Sequence, residues 1–431
     1  MISLPPTTLG WTTLGLGTLR LTNAGAIVTA TGPDCGPLAA WESLGILHAN
    51  DLVLERGPGG WTPTWIGPTD ARDRPAADSV VDLGGRLLVP GLCDSHTHAV
   101  FAGDRSGEFV QRMAGRSYAD LAAAGGGIAH TVRQTRLATL ESLVETCAIR
   151  LGEMLAWGVR VVEVKTGYGL DLATEVRLAQ AIDVLRQRFA GQLLLVGTAM
   201  PAHAIPAEWR DNSNGYVDHA CNAILPAMVS ASDLAFVDVF VERGYFDLAQ
   251  ASRIADTARC LGLRLKAHVD EFADIGGLAW AVDQGATSVE HLLVTSAAGI
   301  ARLAASDTVA VCLPLTSLFL REPYAPMRAL VDAGARVAIA TDCNPGSAMT
   351  TNLPLALQVS VLAGRLTPQE ALRGATRCAA LALAEPNGWR GRIALHEPFL
   401  ATAFDLPGPD ALFYELGAPP RAWAGLHAAL A

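Results

Sequence analysis

Short apolar segments and longer amphipathic segments alternate through the middle of the chain. Each apolar run is rich in β-branched residues and is followed by a polar or glycine-containing turn. Apolar residues then recur at spacings of three and four, which predicts helices over residues 140–158, 173–191 and 248–262, among others. The apolar runs are predicted strands, and they cover residues 87–96, 159–165, 193–200, 236–242, 263–269, 287–292, 308–314 and 336–342.

Eight apolar strands that alternate with amphipathic helices indicate an α/β fold with a parallel sheet covered by helices. Eight such units fit a closed (β/α)8 barrel of the TIM type, and we predict this barrel for residues 87–384. The alternative is an open doubly wound sheet, which would carry a glycine-rich phosphate-binding turn after an early strand. The glycine-rich run at residues 122–130 does not lead from a strand into a helix, so it is interpreted as a flexible loop.

The two ends of the chain have a different character. Residues 1–86 are rich in Gly, Pro, Thr and Trp and contain short strand-like runs, and residues 385–431 resemble them. Neither segment is long enough to bury a core of its own. We therefore predict that both segments pair with each other as one small β-sandwich domain beside the barrel.

The amino-acid composition argues against two classes of binding partner. With 32 Lys and Arg against 42 Asp and Glu, the chain has a net charge of −10 and no basic run. Nucleic acids and anionic membrane surfaces are therefore not expected as partners. No secretory signal or membrane span is apparent, and the eight cysteines are scattered without a CxxC pair. Scattered thiols indicate reduced cysteines, and the expected compartment is the cytoplasm.

Ionisable or metal-binding side chains stand at or just after seven of the eight predicted strands. In a (β/α)8 barrel, active sites are built at the C-terminal ends of the strands. Packing demands do not place such residues there, so these strand ends predict an active site. The residues are His96, His98, Lys165, His203, Glu242, His268, Asp270, Glu271, Glu290, His291 and Asp342.

The first strand ends in two histidines that predict a metal site. His96 and His98 are two residues apart in an extended segment, so their side chains point to the same face. His268 and Asp342 can approach from other strands. Three imidazoles and one carboxylate suit Zn²⁺ or Fe²⁺ with an open position for water, and the metal would bring the pKa of that water toward neutrality.

Other polar residues are interpreted as structural. Lys165 is expected to be a surface lysine or to orient a loop, and Glu242 is interpreted as a solvated strand end. Cys343 has no adjacent histidine base, which argues against a nucleophilic thiol. Solvated or capping roles are expected for five further histidines, which are His48, His130, His219, His396 and His427.

Several motifs resemble the metal-dependent amidohydrolase superfamily. The resemblance rests on VDLGGRLLVPGLCDSHTH (81–98), His268, His291 and the Thr-Asp pair at 341–342. Within the superfamily, the barrel closely resembles the imidazolonepropionases, which act in histidine degradation. The motifs that carry this closer resemblance are HTHAVFAGDR (96–105), RSYADLAAAGGGI (116–128), VEVKTGYGL (162–170), AHAIP (202–206), KAHVDEF (266–272) and ATDCNPGS (340–347).

The resemblance implies a role for each matching residue. His96, His98, His268 and Asp342 would bind one Zn²⁺ or Fe ion per chain, and His291 would lie beside the metal-bound water. A single ion is favoured because strand 4 ends in Glu242, whereas relatives with two metals carry a carboxylated lysine there. A homodimer is also implied. The implied substrate contacts are Arg105, Tyr118, Tyr168, His203, Glu271, Asn344, Gly346 and Ser347.

The implied reaction is hydrolysis of the cyclic amide of 4-imidazolone-5-propionate to N-formimidoyl-L-glutamate. Arg105 would bind the propionate, since a guanidinium stays charged and binds carboxylates through two hydrogen bonds. Asp342 or Glu271 would accept the proton of the attacking water, and the metal, with His291 as a further candidate, would stabilise the oxyanion. Two alternatives are another amidohydrolase or deaminase that acts on a related heterocycle, and a catalytically silent barrel that serves as a scaffold.

Overall fold

The computed structural model describes residues 17–116, 126–417 and 421–430. Eight parallel strands follow one another around a single sheet, and each is hydrogen-bonded to the next in sequence order. Nearly every residue in them is buried, as expected for strands covered on both faces. Barrel strands 1 to 8 span Leu92–Asp94, Val159–Lys165, Leu194–Ala202, Phe236–Val241, Arg264–Val269, Ser288–His291, Val309–Cys312 and Val337–Ile339.

The barrel closes between its first and last strands, just beyond their ends. Thr97 and Cys343 form a parallel bridge. The backbone N–H of Asp342 donates to the carbonyl of His96 at 3.1 Å, and that of His98 donates to the carbonyl of Cys343 at 3.0 Å. The predicted (β/α)8 barrel is therefore confirmed. Its closing hydrogen bonds also fix the backbone of three residues predicted to bind metal.

Helices cover the outside of the barrel. The three helices for which residue ranges were predicted are confirmed, with ends within three residues of the prediction. They span Leu140–Ala156, Leu172–Arg188 and Leu248–Cys260. Among the described residues, no helix has both the length and the apolar character that a membrane crossing requires. The other described α-helices are Trp41–Leu44, Ser106–Met113, Ile128–Leu137, Ser213–His219, Leu225–Ala231, Gly277–Asp283, Ala297–Ala304, Pro314–Leu320, Met327–Asp332, Leu353–Leu362, Pro368–Gly374, Arg377–Ala382, Ala411–Tyr414 and Ala424–Leu430, with a π-helical turn at Ala220–Ile224 and 3₁₀ turns at Ala207–Trp209 and Pro386–Gly388.

A second unit consists of two four-stranded sheets that share one hydrophobic core. One sheet has the order Gly60–Pro68, Asn50–Gly57, Thr18–Thr22 and Ser79–Asp82, and the other has the order Ala401–Phe404, Leu87–Pro90, Ala26–Val28 and Ile46–Leu47. The second sheet joins a strand from near the C-terminus to strands from the N-terminal region. The predicted small β-domain, built from both ends of the chain, is thus confirmed.

The prediction of one strand over residues 87–96 was wrong. Leu87–Pro90 pairs with Ala26–Val28 and Ala401–Phe404 in the small domain, whereas Leu92–Asp94 pairs with barrel strand 2. Gly91 separates the two strands, and a Cβ atom there would lie 2.5 Å from Cβ of Arg160. We propose Gly91 as the first domain boundary in place of residue 87, and the second boundary, at residue 384, stays a prediction.

Candidate metal centre and active site

A cavity of about 660 Å³ opens at the C-terminal ends of the barrel strands. His96 lies beside the cavity, with its ring centroid 5.3 Å from that of His98. Tyr118, a predicted substrate contact, lies outside the described residues. The other predicted metal ligands, catalytic residues and substrate contacts all line the cavity, and these are His98, Arg105, Tyr168, His203, His268, Glu271, His291, Asp342, Asn344, Gly346 and Ser347.

The four predicted metal ligands lie next to one another. Potential ligand atoms of His96, His98 and Asp342 lie within 4.8 Å of one another, and His268 adjoins this group. Oδ1 of Asp342 lies 3.4 Å from Nε2 of His96 and 3.7 Å from Nε2 of His98. Nε2 of His268 lies 3.3 Å from Nε2 of His98. All four side chains are buried. Strand period and barrel closure therefore bring together residues that are up to 246 positions apart in sequence.

The chemistry of these atoms fits a metal ion. Nδ1 of His96 donates to Glu290 at 2.8 Å, and Nδ1 of His268 donates to Asp238 at 2.9 Å. Each Nε2 atom then keeps an unprotonated lone pair, the form that binds metal. No described residue offers a hydrogen bond to Nε2 of His96. Unprotonated imidazole nitrogens beside a carboxylate are the ligand types that Zn²⁺ and Fe²⁺ prefer, so this cluster is a candidate metal site.

The charge states of His96, His98 and Asp342 also suit a metal ion. Burial lowers the pKa of His96 and of His98 well below the usual range, so both imidazoles are neutral. Burial raises the pKa of Asp342 to about 6. Oδ2 of Asp342 accepts a 2.6 Å hydrogen bond from the Thr316 hydroxyl, which leaves Oδ1 facing the imidazoles. A cation among these groups would favour the ionised carboxylate.

His291 belongs to the same cluster. His96, His268 and His291 also form a group whose potential ligand atoms lie within 4.8 Å of one another. Nε2 of His291 lies 3.6 Å from Oε2 of Glu271. Burial, followed by the negative charge of Asp342, raises the pKa of Glu271 well above its usual range. Burial thus raises the pKa of both carboxyl groups, Glu271 and Asp342, toward the range of a general acid or base.

Strained backbone accompanies these side chains. His291 has φ of 74° and Asp342 has φ of 55°, both in the left-handed region that non-glycine residues seldom adopt. Such residues concentrate where a surrounding structure holds functional side chains in place. Here, the strand ends turn sharply and direct both side chains to the cavity.

The Arg105 guanidinium forms part of the cavity wall, where a neighbouring carboxylate fixes its position. Its Nε and Nη2 atoms donate to Oε2 of Glu108 at 3.0 and 2.9 Å. The guanidinium lies against Gly346, where an added Cβ would be 2.3 Å from Nη1. Asn344 Oδ1 accepts from the backbone N–H groups of Gly346 and Ser347, both at 2.8 Å, which fixes that loop. Three further cavity arginines went unpredicted, namely Arg112, Arg116 and Arg321.

His203 and Tyr168 form an aromatic wall. The His203 ring stacks on His98 with centroids 4.8 Å apart, and its centroid lies 5.1 Å from that of Tyr168. Nδ1 of His203 donates to the carbonyl of Gly167 at 3.0 Å. Burial lowers the pKa of His203 to about 3, so the ring is neutral. This neutral imidazole can exchange hydrogen bonds with a polar heterocycle.

Two structural interpretations of polar residues were wrong. Lys165 is fully buried and donates to Glu163 and Asp238, so it neither lies at the surface nor orients a loop. Glu242 is also buried, and it accepts hydrogen bonds from the backbone N–H groups of Phe272 and Ala273. Both strand ends lie in a closed barrel, which excludes the solvent that the sequence interpretation assumed.

Three further charged residues near the metal site, Glu163, Asp238 and Lys266, were missed, whereas Glu290 had been named only as a strand end. Glu163, Asp238, Lys266 and Glu290 are fully buried inside the barrel. Each interrupts an otherwise apolar predicted strand, as in FVDVFVE and LRLKAHV. That interruption was the available signal, because a charged residue inside a buried strand requires a partner. By contrast, burial strongly raises the pKa of Cys343, which argues against a thiolate nucleophile.

Curated relatives cover almost the whole chain, although no family model matches it. The chain is 44% identical to the imidazolonepropionase of Chloroflexus aggregans over 421 residues, which cover 94% of this chain and 96% of that protein. It is 40% identical to the imidazolonepropionase of Herpetosiphon aurantiacus, with 93% and 94% covered.

Solved structures share the fold at low identity. A mutant of the atrazine chlorohydrolase of Arthrobacter aurescens, complexed with zinc and atraton, matches with a TM-score of 0.68 and 16% identity over 94% of this chain and 92% of that one. The 5-methylcytosine deaminase of Klebsiella pneumoniae, liganded with 5-fluorocytosine, matches with a TM-score of 0.66 and 16% identity over 94% of each chain. Given the extensive curated relatives, the chain belongs to the imidazolonepropionase family of amidohydrolases.

Proposed function

We propose that this hydrolase opens the ring of 4-imidazolone-5-propionate and releases N-formimidoyl-L-glutamate. The observation that carries the proposal is Arg105, a guanidinium held by Glu108 in the same cavity as the metal site. A propionate tail requires a permanent cation, whereas a neutral nucleobase does not. The curated relatives at 38–44% identity carry the same enzyme name, which supports this substrate.

We further propose that His96, His98, His268 and Asp342 hold one Zn²⁺ or Fe ion. Three imidazoles and a carboxylate match the ligand preferences of both metals. When bound, the ion supplies Lewis-acid activation of water at neutral pH.

The protein side chains then divide the proton transfers between them. Asp342 is the proposed base that takes a proton from water as it attacks the ring carbonyl carbon. Burial raises the pKa of Glu271, which favours its protonated form, and Glu271 is the proposed acid that gives a proton to the ring nitrogen as the C–N bond breaks. His291, 3.6 Å from Glu271, is placed to hydrogen-bond the developing oxyanion.

Substrate orientation is assigned to the rest of the cavity. In this proposal, Arg105 binds the propionate carboxylate, and Tyr168 and His203 contact the ring. Tyr118 is a further proposed contact. Asn344, Gly346 and Ser347 border the carboxylate side, where their hydrogen-bonded loop packs against Arg105.

The deciding experiment compares substrates on the purified enzyme. Turnover of imidazolone propionate, guanine and cytosine is followed by absorbance, and only the first is expected to react. Arg105→Ala is expected to raise KM while His268→Ala abolishes turnover. Deamination of a base without imidazolone hydrolysis would establish the deaminase alternative. Less than about half an equivalent of metal per chain, with no uptake on addition, would favour a silent scaffold.

The cellular setting is also part of the proposal. We propose a cytoplasmic homodimer without nucleic-acid or membrane partners. The net charge of −10 supports the exclusion of polyanionic partners. Light scattering coupled to gel filtration measures the mass directly, and a value near that of one 45.1 kDa chain would contradict the dimer.

A further inference from the structure

Lysine is almost absent from this chain. Of the 32 Lys and Arg residues, only Lys165 and Lys266 are lysines. Both are fully buried inside the barrel, and they share a carboxylate partner. Arginine occupies every other position that carries a permanent positive side-chain charge. The two lysines therefore place compact ammonium groups at a buried site where the broader guanidinium is not used.

The shared partner is Glu163. Nζ of Lys165 lies 2.8 Å from Oε2 of Glu163, and Nζ of Lys266 lies 3.0 Å from Oε1. Lys165 also donates to Oδ2 of Asp238 at 2.7 Å. Lys266 lies 3.6 Å from Oε1 of Glu290 and donates to the Ser95 carbonyl at 3.0 Å. The Thr198 hydroxyl adds a 2.5 Å bond to Oε1 of Glu163.

Asp238 and Glu290 each use their second carboxylate oxygen to bind a predicted metal ligand. Oδ1 of Asp238 accepts from His268, and Oε2 of Glu290 accepts from His96. An unbroken chain of charged contacts thus runs beneath the metal site from one imidazole to the other. Its members, in order, are His96, Glu290, Lys266, Glu163, Lys165, Asp238 and His268.

Fold stability does not explain such a network. Barrel interiors are ordinarily filled with apolar side chains, and buried ion pairs can often be replaced by apolar residues without loss of stability. Three carboxylates and two ammonium groups leave a net charge of 2 − 3 = −1 below the metal site. A negative interior favours a bound cation above it, and both imidazoles are held with Nε2 toward that cation.

We propose that Glu163, Lys165 and Lys266 are positioning residues for the metal. They fix the carboxylates of Asp238 and Glu290, which in turn set the tautomer and direction of His268 and His96. Residues in direct contact with ligand imidazoles commonly change metal affinity by about 10- to 100-fold. The inference extends this control one contact further, to a pair of lysines joined by one glutamate, and it rests on the metal centre proposed above.

The test is metal affinity, measured by competition with a chromogenic chelator at one fixed pH. Glu163→Gln and Lys266→Met are expected to weaken Zn²⁺ binding by about 10- to 100-fold. Thr198→Val and Thr402→Val form a matched pair, since each removes one buried threonine hydroxyl. Thr198 donates to Glu163, whereas Thr402 donates to the Gly158 carbonyl outside the network. Only Thr198→Val is expected to weaken binding.

The near-absence of lysine supplies a second measurement on the unaltered chain. Selective ¹⁵N labelling of lysine side chains should produce two ammonium signals in the NMR spectrum, and both are expected to shift when Zn²⁺ is added. Even where Glu163→Gln or Lys266→Met does not fold, the absence of any shift would count against the positioning role.

Two results would overturn the proposal in different ways. If the unaltered chain takes up no Zn²⁺, the metal centre itself is refuted, and the network loses its role with it. If the unaltered chain binds Zn²⁺ normally, but folded variants bind within twofold of it and neither lysine signal shifts, only the positioning role is refuted.

Discussion

Gly346→Ala is the sharpest test of the carboxylate site. The backbone φ of Gly346 lies outside the left-handed region, so alanine costs no backbone strain, and the added Cβ acts only on its neighbour. That Cβ would lie 2.3 Å from Nη1 and 3.0 Å from Cζ of Arg105. Ordinary contact between such atoms is about 3.5 Å, so the guanidinium must move by roughly 1 Å.

The displacement should weaken substrate binding by a calculable amount. Arg105 is held by two charge-assisted hydrogen bonds to Glu108, and a bond of that kind contributes about 1.5–3 kcal/mol. Loss of one such bond, to Glu108 or to the substrate, corresponds to roughly a 10- to 150-fold change in affinity. KM should rise within that range. The kcat should change less than about threefold, since the propionate does not react.

Steady-state kinetics with imidazolone propionate measure both constants. Gly107→Ala is the matched control, because a Cβ at this nearby glycine meets nothing within 4 Å. A substrate analogue with a neutral amide in place of the propionate should not distinguish the two variants. A folded Gly346→Ala enzyme with KM within twofold of the unaltered enzyme would refute the assignment of Arg105.

The remaining predictions concern the metal, a hydroxyl, a thiol and a histidine. Dialysis against a chelator should abolish turnover and one equivalent of metal should restore it; activity in protein shown by elemental analysis to be metal-free would contradict the centre. Thr316→Val should lower kcat several-fold with little change in KM, since it frees Oδ2 of the proposed base Asp342, and unaltered kcat would show that this bond is dispensable. Cys343→Ala should keep kcat within about threefold, and the smaller side chain should lower the free energy of unfolding in urea by about 1–2 kcal/mol. Inactivation of a folded variant would support a catalytic role for the thiol. Burial lowers the pKa of His427 to about 3 from about 6.5 when unfolded, so stability should fall as pH drops below about 6.5, by up to about 1.4 kcal/mol per pH unit. His427→Gln should lose less stability between pH 7 and pH 5 in urea titrations, and an equal loss would count against this effect.

The periodicity of the chain was enough to predict the barrel. Eight apolar runs separated by amphipathic helices have few other compact arrangements, because strands with two apolar faces must be covered on both. The same periodicity indicated that His96 and His98 share a face. Residue chemistry then suggested His268 and Asp342 as partners. The structure places Oδ1 of Asp342 within 3.7 Å of both His96 and His98, and Nε2 of His268 lies 3.3 Å from Nε2 of His98.

The division of residues 87–96 into two strands at Gly91 could not be predicted from the sequence pattern. An apolar run has the same appearance whether its residues pair in one sheet or in two, so the division between Leu87–Pro90 and Leu92–Asp94 was not visible. Strand pairing depends on partners more than 300 residues away, such as Ala401–Phe404. Only the folded chain defines those partners.

The sequence by itself determined the alternation of elements, the histidine pair and the residue types of the site. Tertiary structure decided which charges meet inside the barrel. Lys165 and Glu163 are two positions apart and would share a face of any strand, yet Lys266 and Asp238 reach them only because barrel closure fixes the register of neighbouring strands. In strands buried on both faces, polarity no longer reports which side a residue takes. The charged network beneath the metal site therefore follows from register and closure, which no local pattern encodes.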